Sequence, residues 1–225
     1  MAKKMSLLWG SGSPPCWRVM ITLEEKSFQG YKRKLLSFEA GEHKSAEVRE
    51  LNPRGQLPVF KHGDSVLNES IAACLFLENQ YQLKGTRLLP QTPAEQALAL
   101  QRMVEGITLN DKLNAVIYYE WFVPEEERCE AGVKRSREVL GAELQLWEKY
   151  LEQVGPGAYL AGAFSLADVT VFPSVACAFR FGLSVLRYPK LAKYYSLLKG
   201  RASIKVSWPP HWLESPQGYD VLKDL

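Results

Sequence analysis

The chain changes texture once, between Lys84 and Gln91, and that break limits what it can fold into. Before it, short apolar runs alternate with turn residues. After it, capped segments with helical spacing follow one another. Two bodies accommodate this pattern: a small α/β domain over 1–84, a linker over 85–92, and an all-helical domain over 93–225. A length of 225 residues allows each body its own core.

Within 1–84 the segments run strand, helix, strand, loop, strand, strand, helix. Ser6-Leu7-Leu8-Trp9 is a short apolar run of strand type, broken by Gly10-Ser11-Gly12-Ser13-Pro14-Pro15. Residues 16–26 read as a helix with Cys16, Val19, Met20 and Leu23 on one face. Pro14 and Pro15 suit its first turn, where an N–H is not needed. Residues 31–35 and 57–61 read as strands, His62-Gly63-Asp64-Ser65 as a hairpin turn, and 66–68 as the returning strand. From Ser70 onward Ile71, Cys74, Leu75 and Leu77 suit a helix. A βαβ unit followed by a hairpin and a helix predicts a small mixed sheet with helices on it.

Beyond the break, Thr92-Pro93-Ala94-Glu95 combines start signals: Thr92 can cap, Pro93 fits the first helical position and Glu95 completes a capping box. The pattern stays helical to about Trp121, and Pro124 closes it. A second helix runs from about Glu126 to Val154 and stops at Gly155-Pro156-Gly157. Ser165-Leu166-Ala167-Asp168 is another capping box, with Phe164 and Val169 placed as its staple. Pro189 opens a fourth helix that Gly200 ends. The tail from Ser207 holds Trp208, Trp212, three prolines and a charged end.

Charge and composition narrow the function. Twenty-eight basic against 25 acidic side chains leave +3 with no basic cluster, which argues against a nucleic-acid partner. No apolar run approaches the roughly 18 residues of a membrane span, and the first apolar stretch is too short for a secretory signal. Cys16, Cys74, Cys129 and Cys177 are scattered, as are the three histidines. Neither a metal site nor a disulfide framework is expected, and the chain reads as soluble, reduced and cytoplasmic.

Three stretches can carry chemistry. A strand ending in a Gly/Ser loop that opens a helix presents unpaired N–H groups and about half a positive charge. Ser13-Pro14-Pro15-Cys16 compares with the Cys-x-x-Cys of a thioredoxin-like redox helix: the second cysteine position is kept, and the solvent-facing first one is Ser13. A hydroxyl cannot form a disulfide, but it can donate a hydrogen bond to a sulfur anion brought by another molecule. Ser11 or Ser13 also suits a plain helix cap, and Cys16 suits the core. In Asn52-Pro53-Arg54-Gly55-Gln56-Leu57-Pro58, the last proline stands at a strand entrance, where a cis Leu57–Pro58 bond would make the bend. Asn68-Glu69-Ser70 can cap the next helix. It equally offers a carboxylate for a ligand ammonium, and a hydroxyl with free N–H groups for a ligand carboxylate.

Taken in this order, with a helical half behind them, these stretches resemble cytosolic glutathione transferases. The resemblance spans nearly the whole chain. The first loop and Trp208-Pro209-Pro210-His211-Trp212 are most similar to the theta-like rho class of fish and other aquatic animals. It implies a thioredoxin-like N-terminal domain followed by an all-helical C-terminal domain, a homodimer, and reduced glutathione as co-substrate with no prosthetic group. Ser13 falls where theta, delta and zeta enzymes carry the serine that hydrogen-bonds the glutathione sulfur, with Ser11 as its rival. The loop before the family's cis-proline assigns Gln56 and Leu57 to glutathione. Glu69 and Ser70 match the pair that holds its γ-glutamyl end, and His43 lies where a histidine approaches the glycyl carboxylate. Trp9 stands where tyrosine-type classes place their tyrosine, and Gly55 where the delta class has a histidine. The implied pocket for a small apolar electrophile draws on Trp9, Met103, Tyr118, Tyr119, Phe122 and Phe172, with Trp121 and Phe179 as further candidates. Trp208 and Trp212 would form its lid. Arg18 is either a charge partner beneath the site or a surface residue.

The implied reaction is attack of the glutathione thiolate on that electrophile, a detoxification. A thiol of pKa near 8.5 is only a few per cent thiolate at pH 7. Lowering it by about two units takes about 2.7 kcal/mol. A charge-assisted hydrogen bond of about 1.5–3 kcal/mol and a helix terminus of about 0.3–1 kcal/mol supply it. The alternatives are a glutathione-dependent peroxidase or isomerase, and a non-enzymatic binding module. An omega-like reductase would carry Cys at position 13, and a zeta-like isomerase a Ser-Ser-Cys loop in place of Ser13-Pro14-Pro15.

Overall fold

The computed structural model describes residues 5–155 and 159–225. They form two compact units. One ends at Leu89 and takes in Arg201–Pro216; the other comprises Pro90–Gly200 with Gln217–Leu225.

The first unit runs β1 (Met5–Trp9), α1 (Pro14–Glu25), β2 (Lys32–Leu35), a 3-10 turn at Glu42–Lys44, α2 (Ala46–Leu51), β3 (Val59–His62), β4 (Ser65–Leu67) and α3 (Ser70–Gln80). The sheet order is β2-β1-β3-β4. β1 is parallel to β2 and antiparallel to β3, and β3 turns back into β4. This is the small mixed sheet that the segment order predicts, in the thioredoxin-like form that the resemblance implies. Leu7 and Trp9 alternate onto the buried face of β1, and Cys16, Val19, Met20 and Leu23 form the buried stripe of α1, which packs beside α3. At the far end of these helices Lys26 and Glu78 form a buried ion pair at 2.5 Å. Glu78 also accepts the N–H groups of Leu88 and Leu89, so the end of the unit is tied down by charge. α2 falls in a stretch read as loop. Only Val48 of its six residues is buried, so no apolar period marks it.

The second unit contains α4 (Pro93–Ile117), α5 (Tyr119–Phe122), a 3-10 turn at Glu125–Glu127, α6 (Glu130–Val154), α7 (Leu166–Arg180) and α8 (Pro189–Lys199). α4 packs on α6 and α7, and α8 packs on the same two. α7 is buried from Leu166 through Ala178. α4 approaches it at Gly106, where a methyl group would lie 2.8 Å from Val171 Cγ2. Ser165 and Asp168 form the full capping box that the sequence predicts. The box at Thr92 is only half made. Thr92 Oγ accepts the Glu95 N–H at 3.4 Å, but the Glu95 carboxylate accepts the Thr92 hydroxyl at 2.7 Å and is spent there. The helix expected to reach Trp121 breaks at Tyr118, and the next begins at Glu130 rather than near Glu126 because Cys129, in extended backbone, caps it with its sulfur. α6 ends at Val154 before Gly155 as expected; Pro156 and Gly157 lie outside the described residues. No described helix is long and apolar enough to cross a membrane.

The tail forms α9 (Ala202–Val206) and α10 (Pro210–Glu214), two short helices that the sequence reading does not contain. The expected helical domain ran unbroken from 93 to 225, whereas 201–216 cluster with the first unit. α9 lies along α1. Trp17 of α1 meets Trp208 and Trp212 edge-on at 5.1 and 5.6 Å and donates its indole N–H to Ser207 at 2.9 Å. Buried aromatic surface and one satisfied indole therefore draw the tail to α1.

Candidate active site

Topology gathers the three stretches before any side chain is considered. β1, β2 and β4 end at one edge of the sheet, and β3, antiparallel to β1, begins there. The Gly10–Ser13 loop follows β1, residues 36–44 follow β2, Leu57–Pro58 precede β3, and Glu69–Ser70 follow β4. Ligands of α/β sheets bind at such an edge because the loops there are free to carry function.

Ser13 is the N-cap of α1. Its Oγ accepts the Cys16 N–H at 3.4 Å. An accepting hydroxyl keeps its own proton, so capping and donation to an anion are compatible roles. Pro14 and Pro15 occupy the first helical positions and have no N–H. The mouth of α1 thus presents fewer backbone donors than an ordinary helix, with the Ser13 hydroxyl beside them. Cys16 is fully buried. Burial pushes its thiol up to about 11, against weaker opposing effects from Ser13, the Gly10 N–H and Arg18. It is a core thiol, as the sequence suggests, and too weakly acidic to be a nucleophile.

Ser11, the rival hydroxyl, is bound to His211: Oγ and Nδ1 are 2.5 Å apart. Gly12 sits at φ +77°, and a methyl group on it would lie 2.7 Å from His211 Cε1. The sequence shows His211 only as part of the tail segment and gives no sign of its link to Ser11, 200 residues away.

The Leu57–Pro58 bond is cis. Asn52 staples the loop before it, donating to Gln56 O at 2.8 Å and accepting the Arg54 N–H at 3.2 Å. Gln56 is exposed and Leu57 is buried. Gly55 stands where a histidine is absent, and Lys44 fills that place: a methyl group on Gly55 would lie 3.0 Å from Lys44 Cδ, and Lys44 Nζ donates to Arg54 O at 3.3 Å. His43 lies on the 3-10 turn, its ring 5.2 Å from that of Phe38. Partial burial, then the Lys44 charge, hold its pKa below the usual value, which favours the neutral ring. Phe38 closes on the first loop, since a methyl group on Gly10 would overlap its ring.

Glu69, not Ser70, is the N-cap of α3, and its side chain makes no cap hydrogen bond. The carboxylate is 71 % exposed and meets Arg54 Nη1 at 3.3 Å, a pairing the sequence does not announce. Ser70 is the first helical residue, and its Oγ accepts from Arg18 Nη1 at 3.4 Å. Arg18 is buried against Ser70, so it is not the surface residue of its second reading. Neither Glu69 nor Ser70 is consumed by capping, so both retain capacity for a ligand.

The aromatic residues divide. Trp9 is buried at the sheet edge, and Trp208 and Trp212 are held on Trp17, all in the first unit. In the second unit Met103 and Phe172 are core residues, Phe172 stacking on Tyr195 and Phe179 lying 5.1 Å from the same ring. Tyr118 meets Trp121, Phe122 and Phe181, and Trp121 and Phe122 are largely exposed. Tyr119 instead faces an open groove of about 810 Å³ with Arg128, Val133, Arg137 and Leu225, and its hydroxyl accepts the Cys129 N–H at 3.1 Å.

Residues 12–80 match the family described as Glutathione S-transferase, N-terminal domain, and residues 115–201 the family described as Glutathione S-transferase, C-terminal domain. The chain is 64% identical to Glutathione S-transferase A of Pleuronectes platessa over 226 residues, covering 100% of both sequences. A glutathione S-transferase from the Antarctic clam Laternula elliptica superposes with a TM-score of 0.86 at 38% identity, over 98% of this chain and 99% of that one. A delta-class glutathione transferase from Nilaparvata lugens superposes with a TM-score of 0.76 at 25% identity, over 91% and 92%.

Proposed function

The chain belongs to the glutathione S-transferase family, and from that premise we propose that Ser13 keeps the sulfur of bound glutathione ionised for attack on a small apolar electrophile. One observation carries this reading: Ser13 Oγ accepts from the Cys16 N–H and so has its own proton to give. Donation to a thiolate contributes about 1.5–3 kcal/mol, enough to move a thiol near 8.5 into the neutral range. The thiol proton leaves to solvent. The sulfur lone pair then forms the C–S bond, and the electrophile expels its leaving group or takes a proton at the adjacent atom. Holding the two reactants together supplies the rest of the acceleration.

Glutathione lies along the sheet edge in this proposal. Glu69 receives its ammonium and Ser70, backed by Arg18, its γ-glutamyl carboxylate. The backbone of Leu57 pairs with the cysteinyl part and Gln56 lies alongside. His43 and the neighbouring Lys44 take the glycyl carboxylate. The first unit is the glutathione-binding one. In the second unit we assign half-buried Tyr118 and exposed Phe122 to the apolar electrophile. A rho-like class, pairing of two chains and a detoxifying role belong to the same proposal and rest on the sequence resemblance of the first loop and the Trp208–Trp212 segment. The four unpaired cysteines support a cytoplasmic, reducing setting.

The test is an ultraviolet titration. Reduced glutathione added to the protein near neutral pH is expected to give the difference absorbance of a thiolate, and Ser13→Ala to abolish most of it. A wild-type protein that binds glutathione without that signal would refute the reading.

A further inference from the structure

We infer that His211 is a positioning residue of the thiolate site, holding through Ser11 the loop that carries Ser13; this rests on the reading of Ser13 above. The loop is weakly held from within. The Ser13 N–H reaches Gly10 O at 3.4 Å, and the Gly10 N–H reaches Cys16 Sγ at 3.4 Å. Gly12, at φ +77°, has no side chain to anchor it. The short contact is the one from outside, Ser11 Oγ to His211 Nδ1 at 2.5 Å, with the imidazole lying against Gly12.

His211 can serve as an anchor because it is itself fixed to the helix that Ser13 caps. Its neighbour Trp212 is 8 % exposed and packs edge-on against Trp17 at 5.6 Å and Trp208 at 5.9 Å. Trp17 lies one turn into α1, its N–H bonded to Ser13 O at 3.0 Å. The path from Ser13 through Trp17, Trp212, His211 and Ser11 returns to the loop. A closed circuit of this kind restricts the Ser13 hydroxyl, and a hydrogen bond to a developing anion weakens steeply when its donor strays. His211 touches Ser11, so its effect on the sulfur is indirect.

The test uses the full chain with reduced glutathione and reads three quantities: the pKa of the bound thiol by ultraviolet absorbance, kcat, and KM for glutathione. His211→Ala is expected to raise the thiol pKa and lower kcat about three- to tenfold, the range of one net hydrogen bond. KM for glutathione should stay within about twofold, since the binding groups are untouched. Ser11→Ala should match it, and the double variant should be no worse than either single one. His211→Asn, which keeps a donor and an acceptor for Ser11, should recover much of the loss. A purely structural role would lower the melting temperature and leave the thiol pKa of the folded fraction unchanged. That result overturns the inference, as do additive effects in the double variant or no recovery with Asn. Should His211→Ala fail to fold, Ser11→Ala decides, and an unshifted thiol pKa in it is fatal. Absence of any thiolate in the wild type would instead sink the Ser13 reading.

Discussion

Arg201 closes on Glu25 as a fork, Nε to Oε1 at 2.6 Å and Nη2 to Oε2 at 2.8 Å, across 176 residues of sequence. Ser203 donates to the same carboxylate. Burial raises the Glu25 pKa, but the bonds from Arg201 and Ser203 and the Arg201 charge outweigh it and hold the carboxyl below the usual range. The fork ties the start of α9 to the end of α1, and the Trp17–Ser207 bond ties its other end. Residues 201–216 therefore travel with the first unit, and His211 arrives at the Ser11 loop.

Arg201→Ala should strand Glu25 without its cation. Breaking a largely buried pair of this geometry costs about 2–4 kcal/mol, read as a lower urea midpoint. Because the folded pKa of Glu25 is depressed, its contribution is full above about pH 4.3 and fades as pH falls through the folded value. The deficit of the variant should accordingly shrink in acid. A midpoint unchanged at pH 7 would show that the fork does not hold the tail.

Ser13→Ala removes a cap and a donor together. The cap is worth about 1 kcal/mol of stability. Loss of the donor should cut kcat about ten- to a hundredfold and raise the bound thiol pKa, while KM for glutathione moves less than about threefold. Ser11→Ala should be milder in every respect. Steady-state kinetics across pH check the order, and the reverse order would transfer the role to Ser11.

Glu69→Ala separates binding from chemistry. Calorimetric affinity for glutathione should fall about tenfold, in line with one lost charge-assisted contact, while the thiol pKa of the remaining complex stays at the wild-type value. Arg54→Ala frees the Glu69 carboxylate from its partner in the empty site, and affinity should hold or rise. Unaltered affinity in Glu69→Ala removes that carboxylate from the ammonium site.

Asp168 should make the second unit more stable toward acid over a limited window. Burial pushes its carboxyl up to about 6, against the bonds from Leu160, Ser165 and Tyr194. The folded state therefore holds its proton longer than the unfolded one. Stability from this group is full below about pH 3.8 and is lost as pH rises through about 6. The two-unit gap corresponds to about 3 kcal/mol. Melting temperatures of the wild type and Asp168→Asn between pH 4.5 and 7 check it: the wild type should gain on the variant as pH falls, and parallel curves would place the titration elsewhere.

Much of the fold and of the site is written in local signals. Ser13 before Pro14 and Pro15, Ser165 three residues before Asp168, and Pro189 at a helix start each act within one turn of backbone, and each element forms where those residues place it. Leu57–Pro58 and Glu69–Ser70 are equally local, and strand order alone carries them to one sheet edge with the first loop. α2 and the half-made box at Thr92 were not legible, because one buried residue sets no period and a glutamate can spend its oxygens on a hydroxyl as readily as on an N–H.

The amino-acid order by itself determined which residues begin and end most helices, that a mixed sheet precedes a helical body, and that a serine hydroxyl, of Ser11 or Ser13, stands near the mouth of α1. Tertiary structure alone decided that the tail joins the first unit, that Arg54 pairs with Glu69, that Lys44 covers Gly55 and that His211 holds Ser11. The reason is the range of the forces concerned. Caps and periodicity act between residues a turn apart and leave a pattern in the sequence. An ion pair or a ring contact between residues distant along the chain depends only on where the folded backbone brings them, and leaves none.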